Sequence, residues 1–316
     1  MSGNNGSEVE TDDLGPYFTE RNGRIFHSSL TSPYPLPSDP DENERLDEQH
    51  EILRTLLGGN YVGPIDDVLT PDPDREKIVI DVGTGMGQWC FEMGQAFPHV
   101  EFYGLDIALA VPIAPREDLP PNVHFEIHDI NQQTRFADRS VDVVHARAAS
   151  MTVTDFNVII REAARILVQG GMFLSGEWGR FPAFHPDIYD AVPTQNAPNL
   201  TRFYDVLNES LQNQRGLGIV ARLVPQMIHA SNSFGDVTTR PFYVPIGRWQ
   251  GDEALSEIGR RFRRCVRKYM ESCRGILLEA GYSSEDINAL CAHAWDDVRN
   301  LRGLISIYYT AYAPRL

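Results

Sequence analysis

The 316-residue chain has no long hydrophobic run; its apolar stretches are a few residues each, far short of the roughly 20 that span a bilayer. A helical membrane anchor is therefore not expected. Cysteine is scarce. Cys90, Cys265, Cys273 and Cys291 share no C-x-x-C spacing, so neither a zinc centre nor a disulfide framework is expected. Positive charge is short as well: 28 Lys and Arg against 44 Asp and Glu leave a formal net charge of −16, which argues against nucleic-acid binding. The one basic run, Arg260–Lys268 (RRFRRCVRK), reads as the solvated face of a long helix. The opening MSGNNGSEVETDDLG carries no basic-then-apolar leader, and residues 1–24 are expected to form a disordered tail on a reduced, cytoplasmic protein.

What is present is a change of rhythm along the chain. Leu46, His50, Ile52, Leu53 and Leu56 fall at helical spacing, giving a helix over about 41–57 that Gly58 and Gly59 end, within an N-terminal cap over residues 25–76. From Lys77 to Trp178, short β-branched runs alternate with helix-like segments. Strands are expected at 78–82, 101–106, 123–127, 141–146 and 172–177, with helices at 88–96 and 155–168. That order predicts a Rossmann-like, doubly wound α/β sheet. After Trp178 come a loop rich in proline and aromatics, helices at about 200–214 and 218–230, and a strand-like TTRPFYVPIG. A helix over 252–280, a capped one opening at Ser283 with Asp286 three residues on, and a final strand ISIYYTAYA complete the pattern. Residues 179–316 thus read as a helical lid or substrate region plus the last strands of a seven-stranded sheet.

The chemistry concentrates in Val79–Trp89, VIDVGTGMGQW. Gly83, Gly85 and Gly87 follow an apolar run ending in Asp81, with Thr84 between the first two. This is GxGxG; the third glycine of the GxGxxG dinucleotide fingerprint would fall on Gln88. Acids close the next two strands as well: Asp106 with Ile107, and Asp129 with Ile130. A carboxylate at each of three strand ends would repel a pyrophosphate. It suits a ligand bearing an ammonium, a ribose and an adenine, and S-adenosylmethionine fits that description.

These phrases, with GTGMGQW, FEMGQAFP, PPNVHFE and DVVHAR, resemble the class I S-adenosylmethionine-dependent methyltransferases, and within them the fungal LaeA-like branch. The resemblance covers about two thirds of the chain. It departs at ALAVPIA (Ala108–Ala114) and at Val168-Gln169-Gly170-Gly171, where the family carries a Ser-Pro phrase and a Lys-Pro-Gly-Gly turn. It implies transfer of a methyl group to a small fungal secondary metabolite, most simply onto a carboxyl, enol or phenol oxygen. Its alternative implication is a regulator of secondary metabolism acting through protein partners, which would place the protein in the nucleus.

Candidates for the remaining roles lie at the strand ends. His145 or Glu177 would act as base, while Ala146 and Arg147 would border the cofactor and Arg147 would meet a carboxylate. Trp178, Phe181, Phe184, Tyr189 and Met227, with His229, would line an apolar acceptor pocket.

Overall fold

The structure, a computed structural model, describes residues 17–108, 118–187 and 191–316. The chain opens with a hairpin, β1 (Phe18–Arg21) and β2 (Arg24–His27), then α1 (Pro40–Leu57) and the single turn α2 (Ile65–Val68). The central run is β3 (Lys77–Val82), α3 (Gln88–Ala96), β4 (Val100–Asp106), β5 (Val123–Ile127), β6 (Val141–Arg147), α4 (Asn157–Ile166) and β7 (Leu167–Trp178). Next come β8 (Ala183–Phe184), α5 (Pro193–Asn196), α6 (Pro198–Arg215) and α7 (Val224–Ala230). The chain ends with β9 (Thr238–Pro245), α8 (Glu253–Ser272), α9 (Arg274–Glu279), α10 (Ser284–Asn300) and β10 (Leu304–Pro314).

The main sheet runs β5-β4-β3-β6-β7-β10, with β9 and the two-residue β8 also paired to β10. It therefore has eight strands, one more than the sequence suggests, the extra being β8. From β5 to β7 all neighbours are parallel, while β10 is antiparallel to both β7 and β9. The order reverses between β3 and β6, and such a switch point opens a crevice at the carboxyl ends of the strands.

Alternation along the strands supplies two faces. Val79 and Val143 pack with Trp89 and Met93 of α3, whereas Ile80, Val82 and Val144 pack with Ile159, Ile160 and Ala163 of α4. A third core joins α1, α6, α8, α9 and α10 to the end of the sheet through Leu53, Phe203, Leu207, Phe262, Ile287 and Tyr308. Among the described residues no helix is long and apolar enough to cross a membrane.

Several local expectations change. Residues 18–27, the first of them read as tail, form the hairpin, and Arg24 at its tip ion-pairs with Asp39, the N-cap of α1. The expected helix over 155–168 ends at Ile166, because Leu167 turns extended and starts β7, with Gly170 and Gly171 inside that strand. The helix expected from Gly218 begins only at Val224, and the one over 252–280 divides at Cys273. The basic run on α8 is more than a solvated face. Arg261 and Arg264 both bind Glu48, and Lys268 binds Glu44, fastening α8 to α1.

Candidate active site

The glycine loop is built by backbone geometry. Gly83, Gly85 and Gly87 have φ of 73°, 57° and 71°, the left-handed region that side chains disfavour. The amides of Gly83 and Thr84 donate to the Leu105 carbonyl at 2.9 and 3.1 Å, and Gly87 caps the start of α3. A Cβ on Gly85 would meet nothing within 4 Å, so the loop presents bare backbone to open space. Asp106, at the end of β4, accepts from the amides of Gly85 at 2.8 Å and Ala108 at 3.2 Å. Burial pushes its carboxyl above the ordinary range, and those amides offset only part of the shift.

Over this loop lies a cavity with about 1310 Å³ of empty space, its open mouth included. Part of its wall is Gly83, Gly85, Asp106, Ile107, Ala108 and Arg147. The remaining wall comes from the strap after β2 (Tyr34, Leu36), from α1 (Arg45, Leu46), from the exit of β7 (Glu177, Trp178, Arg180), and from Tyr204, Phe262 and Tyr269. Thus the ends of four strands (β3, β4, β6 and β7), the strap and three helices converge on one space.

Of the expected cofactor residues, Gly83, Gly85, Asp106, Ile107 and Arg147 reach the cavity. Thr84 and Ala146 are buried behind it. Gly87 serves the helix start. Asp129 is not in the wall: its carboxylate accepts from the Thr31 hydroxyl at 2.6 Å and the Asn131 amide at 2.9 Å, which hold it below the usual range against the cost of burial. Ile130 sits beside the loop, 3.7 Å from where a Gly83 Cβ would stand.

The two proposed bases fare differently. His145 does not line the cavity. It is buried under it, stacked on Trp89 at 4.0 Å, with its Nδ1 bonded to Asp81 at 2.7 Å. Burial lowers its pKa and keeps it neutral, so it donates to an Asp81 carboxylate that the His145 contact keeps ionised despite its own burial. Glu177 does line the cavity, and burial lifts its carboxyl to about 7. Its two oxygens accept from the Ala149 and Ser150 amides at 2.9 and 3.3 Å, pinning a turn in which Ala148 adopts φ 54°.

Arg147 donates to His50 of α1 at 2.9 Å, and burial with that neighbouring charge takes His50 down to about 4. Among the described residues, His50, Glu51 and Glu92 are the group whose spacing would suit a metal, yet Arg147 and Arg54 already supply positive charge there.

The acceptor list needs correction. Trp178 lines the cavity, but Phe181 lies under the Arg222 guanidinium at 4.2 Å, Phe184 is buried in β8, and Met227 packs beneath α4 while His229 is exposed. Tyr189 lies outside the described residues. Tyr204, Phe262 and Tyr269 take the place of these aromatics, and His27 and Arg180 add polar groups. None of these had a motif to mark it; only helical periodicity hinted that α6 and α8 have buried faces.

A family model described as a methyltransferase domain matches residues 73–201. The chain is 28% identical over 86% of its length to the secondary metabolism regulator laeA of Coprinopsis cinerea, spanning 67% of that protein. It is 24% identical to methyltransferase str2 of Strobilurus tenacellus, over 76% of this chain and 80% of the relative. Among solved structures it is similar to Haemonchus contortus phosphoethanolamine N-methyltransferase 2, solved with S-adenosylhomocysteine, at a TM-score of 0.46 and 16% identity, covering 92% of this chain and 61% of that one.

Proposed function

The chain belongs to the class I S-adenosylmethionine-dependent methyltransferases, with LaeA-type regulators and fungal methyltransferases among its relatives, and from that footing we propose that it O-methylates a small, largely apolar metabolite. One observation carries the reading. The bare glycine loop and Asp106 line the same cavity as Trp178, Tyr204, Phe262 and Tyr269. Donor and acceptor would thereby share one enclosed space.

The loop fits the cofactor: left-handed glycines leave backbone open at Gly85, and Asp106 supplies acceptor oxygens where a ribose would lie. Gly83, Gly85, Asp106 and Ile107 would hold it. When bound, the cofactor supplies an electrophilic methyl on a sulfonium sulfur. The chain contributes position and dryness. The strap after β2 closes one side of the cavity, and the aromatic wall orients the acceptor; placement at roughly 3–3.5 Å supplies much of the acceleration in such reactions.

Calorimetry with S-adenosylhomocysteine tests the binding half: an affinity that Asp106→Ala weakens by at least about tenfold is expected, as for loss of hydrogen bonds to a charged group. Radiolabelled cofactor incubated with a fungal extract tests the transfer half, and a labelled small product is the expected result. The likeness to a regulator supports a second reading, in which no small product forms and label or binding passes to a protein instead.

A further inference from the structure

Buried polar side-chain atoms in folded proteins are nearly all hydrogen-bonded, so those left over are informative. Among the described residues, Trp178 Nε1 and Arg180 Nη1 are buried without a partner, and both residues line the cavity. Arg180 is only 6% exposed. Its Nη2 donates to the carbonyls of Leu217 and Gly218, which are neutral, and among the described residues it forms no ion pair with a carboxylate. Glu177 is close enough for the Arg180 charge to act on it, but the amides of Ala149 and Ser150 take its oxygens. A buried guanidinium edge in that state is costly unless an anion answers it.

The partner donor is rigid. The Trp178 ring stacks on Phe262 at 5.2 Å and leans on Tyr308 at 5.0 Å, so its N–H is held rather than swinging. Trp178 and Arg180 stand two residues apart as the chain leaves β7. Around them Leu36, Met151, Tyr204 and Val266 present apolar surface. The two unpartnered donors lie buried in a largely hydrophobic wall, and a small adjustment of either side chain toward the cavity would select an apolar body with one anionic oxygen group.

Resting on the methyltransferase reading, we propose that Arg180 and Trp178 form the acceptor-orienting subsite and that the acceptor is an apolar ring compound bearing a carboxylate. Both are binding residues; neither takes a proton. A carboxylate oxygen gains the methyl as the methyl–sulfur bond breaks and its electron pair returns to sulfur, so an ester forms and no proton moves. This agrees with the occupied state of the two carboxyl and imidazole candidates, Glu177 by backbone amides and His145 by Asp81. The end of β2 adds one more buried polar group. His27 donates through Nε2 to the Tyr34 carbonyl at 2.9 Å, which leaves Nδ1 buried without a partner.

The test is calorimetry on the full chain saturated with S-adenosylhomocysteine, using 2-naphthoate, 2-naphthamide and 2-naphthol as probes of one shape. The acid is expected to bind at least about tenfold more tightly than the amide or the naphthol, the size of a charge-assisted bond. Arg180→Gln is expected to erase that preference while the affinity for S-adenosylhomocysteine stays within about twofold. Should Arg180→Gln fail to fold, Trp178→Phe keeps an aromatic ring against Phe262, replaces the indole with a smaller phenyl that lacks the N–H, and is expected to narrow the preference by about threefold or more. Equal affinities, no binding of the acid at millimolar concentration, tighter binding of the naphthol, or a preference that both variants retain overturns the proposal. Failure of S-adenosylhomocysteine itself to bind would instead sink the methyltransferase reading beneath it.

Discussion

His145 on β6 bonds Asp81 on β3 at 2.7 Å, and the two residues stand directly opposite one another in the sheet register. The pair props the floor of the crevice from below. His145→Phe preserves an aromatic ring over Trp89 but strips Asp81 of its shortest hydrogen bond, leaving the buried carboxylate with the Cys90 thiol at 3.8 Å. We expect a loss of about 1–3 kcal/mol in stability, measured by urea unfolding. A general base would behave otherwise, with stability kept and turnover lost.

Glu177 sets a pH dependence. Burial raises its carboxyl to about 7 from an ordinary 4.5, so between those values the folded state binds more protons than the unfolded. Stability then falls as pH rises through that window, by at most about 3 kcal/mol. Urea midpoints at pH 5 and pH 7.5 should show that slope in the parent and a flatter one in Glu177→Gln. An equal slope in both would remove Glu177 as its source.

Gly176 is required by its neighbour across the sheet. A Cβ there would stand 1.9 Å from the Tyr308 hydroxyl oxygen and 2.6 Å from the ring carbon bearing it. Gly176→Ala should cost about 1–3 kcal/mol by overpacking and displace the Glu177–Arg180 exit. Tyr308→Phe removes the hydroxyl but not the ring carbon, so the double variant should recover only part of the loss, as thermal melts would show.

Two glutamates on α1 offer a contrast. Glu42 is fully buried, receives both Nε and Nη2 of Arg45, and accepts from the Ser272 hydroxyl at 2.6 Å. Glu48 binds Arg261 and Arg264 at a surface where both arginines are partly solvated. Glu42→Gln should cost about 3–5 kcal/mol, because Arg45 stays buried without its counter-charge. Glu48→Gln should cost below about 1 kcal/mol and lose even that in high salt. Denaturant titrations with and without added salt separate the two.

Much of the sheet was legible along the chain. The alternation of Val79, Ile80, Val143 and Val144 between two cores is the same alternation that marks the strands in sequence. The glycine loop and Asp106 were legible for a related reason: their chemistry lies within a few residues of each other or at the end of a recognisable strand. His145 was misleading because an apolar strand ending in His-Ala-Arg does not reveal which side of the sheet the imidazole takes. Phe181 and Phe184 misled in the same way, since aromatic density in a loop does not say whether the rings meet ligand, Arg222 or core.

The linear chain alone determined the α/β rhythm and the glycine loop, because backbone conformation, strand alternation and glycine freedom are local properties. The rest of the cavity wall was decided by tertiary packing. Tyr34, Arg180, Tyr204 and Phe262 come from a strap, a strand exit and two helices, and no periodicity links them. They meet because burying the faces of α6 and α8 against the sheet end brings them together, and which polar atoms that packing leaves unpartnered is a property of the assembled fold.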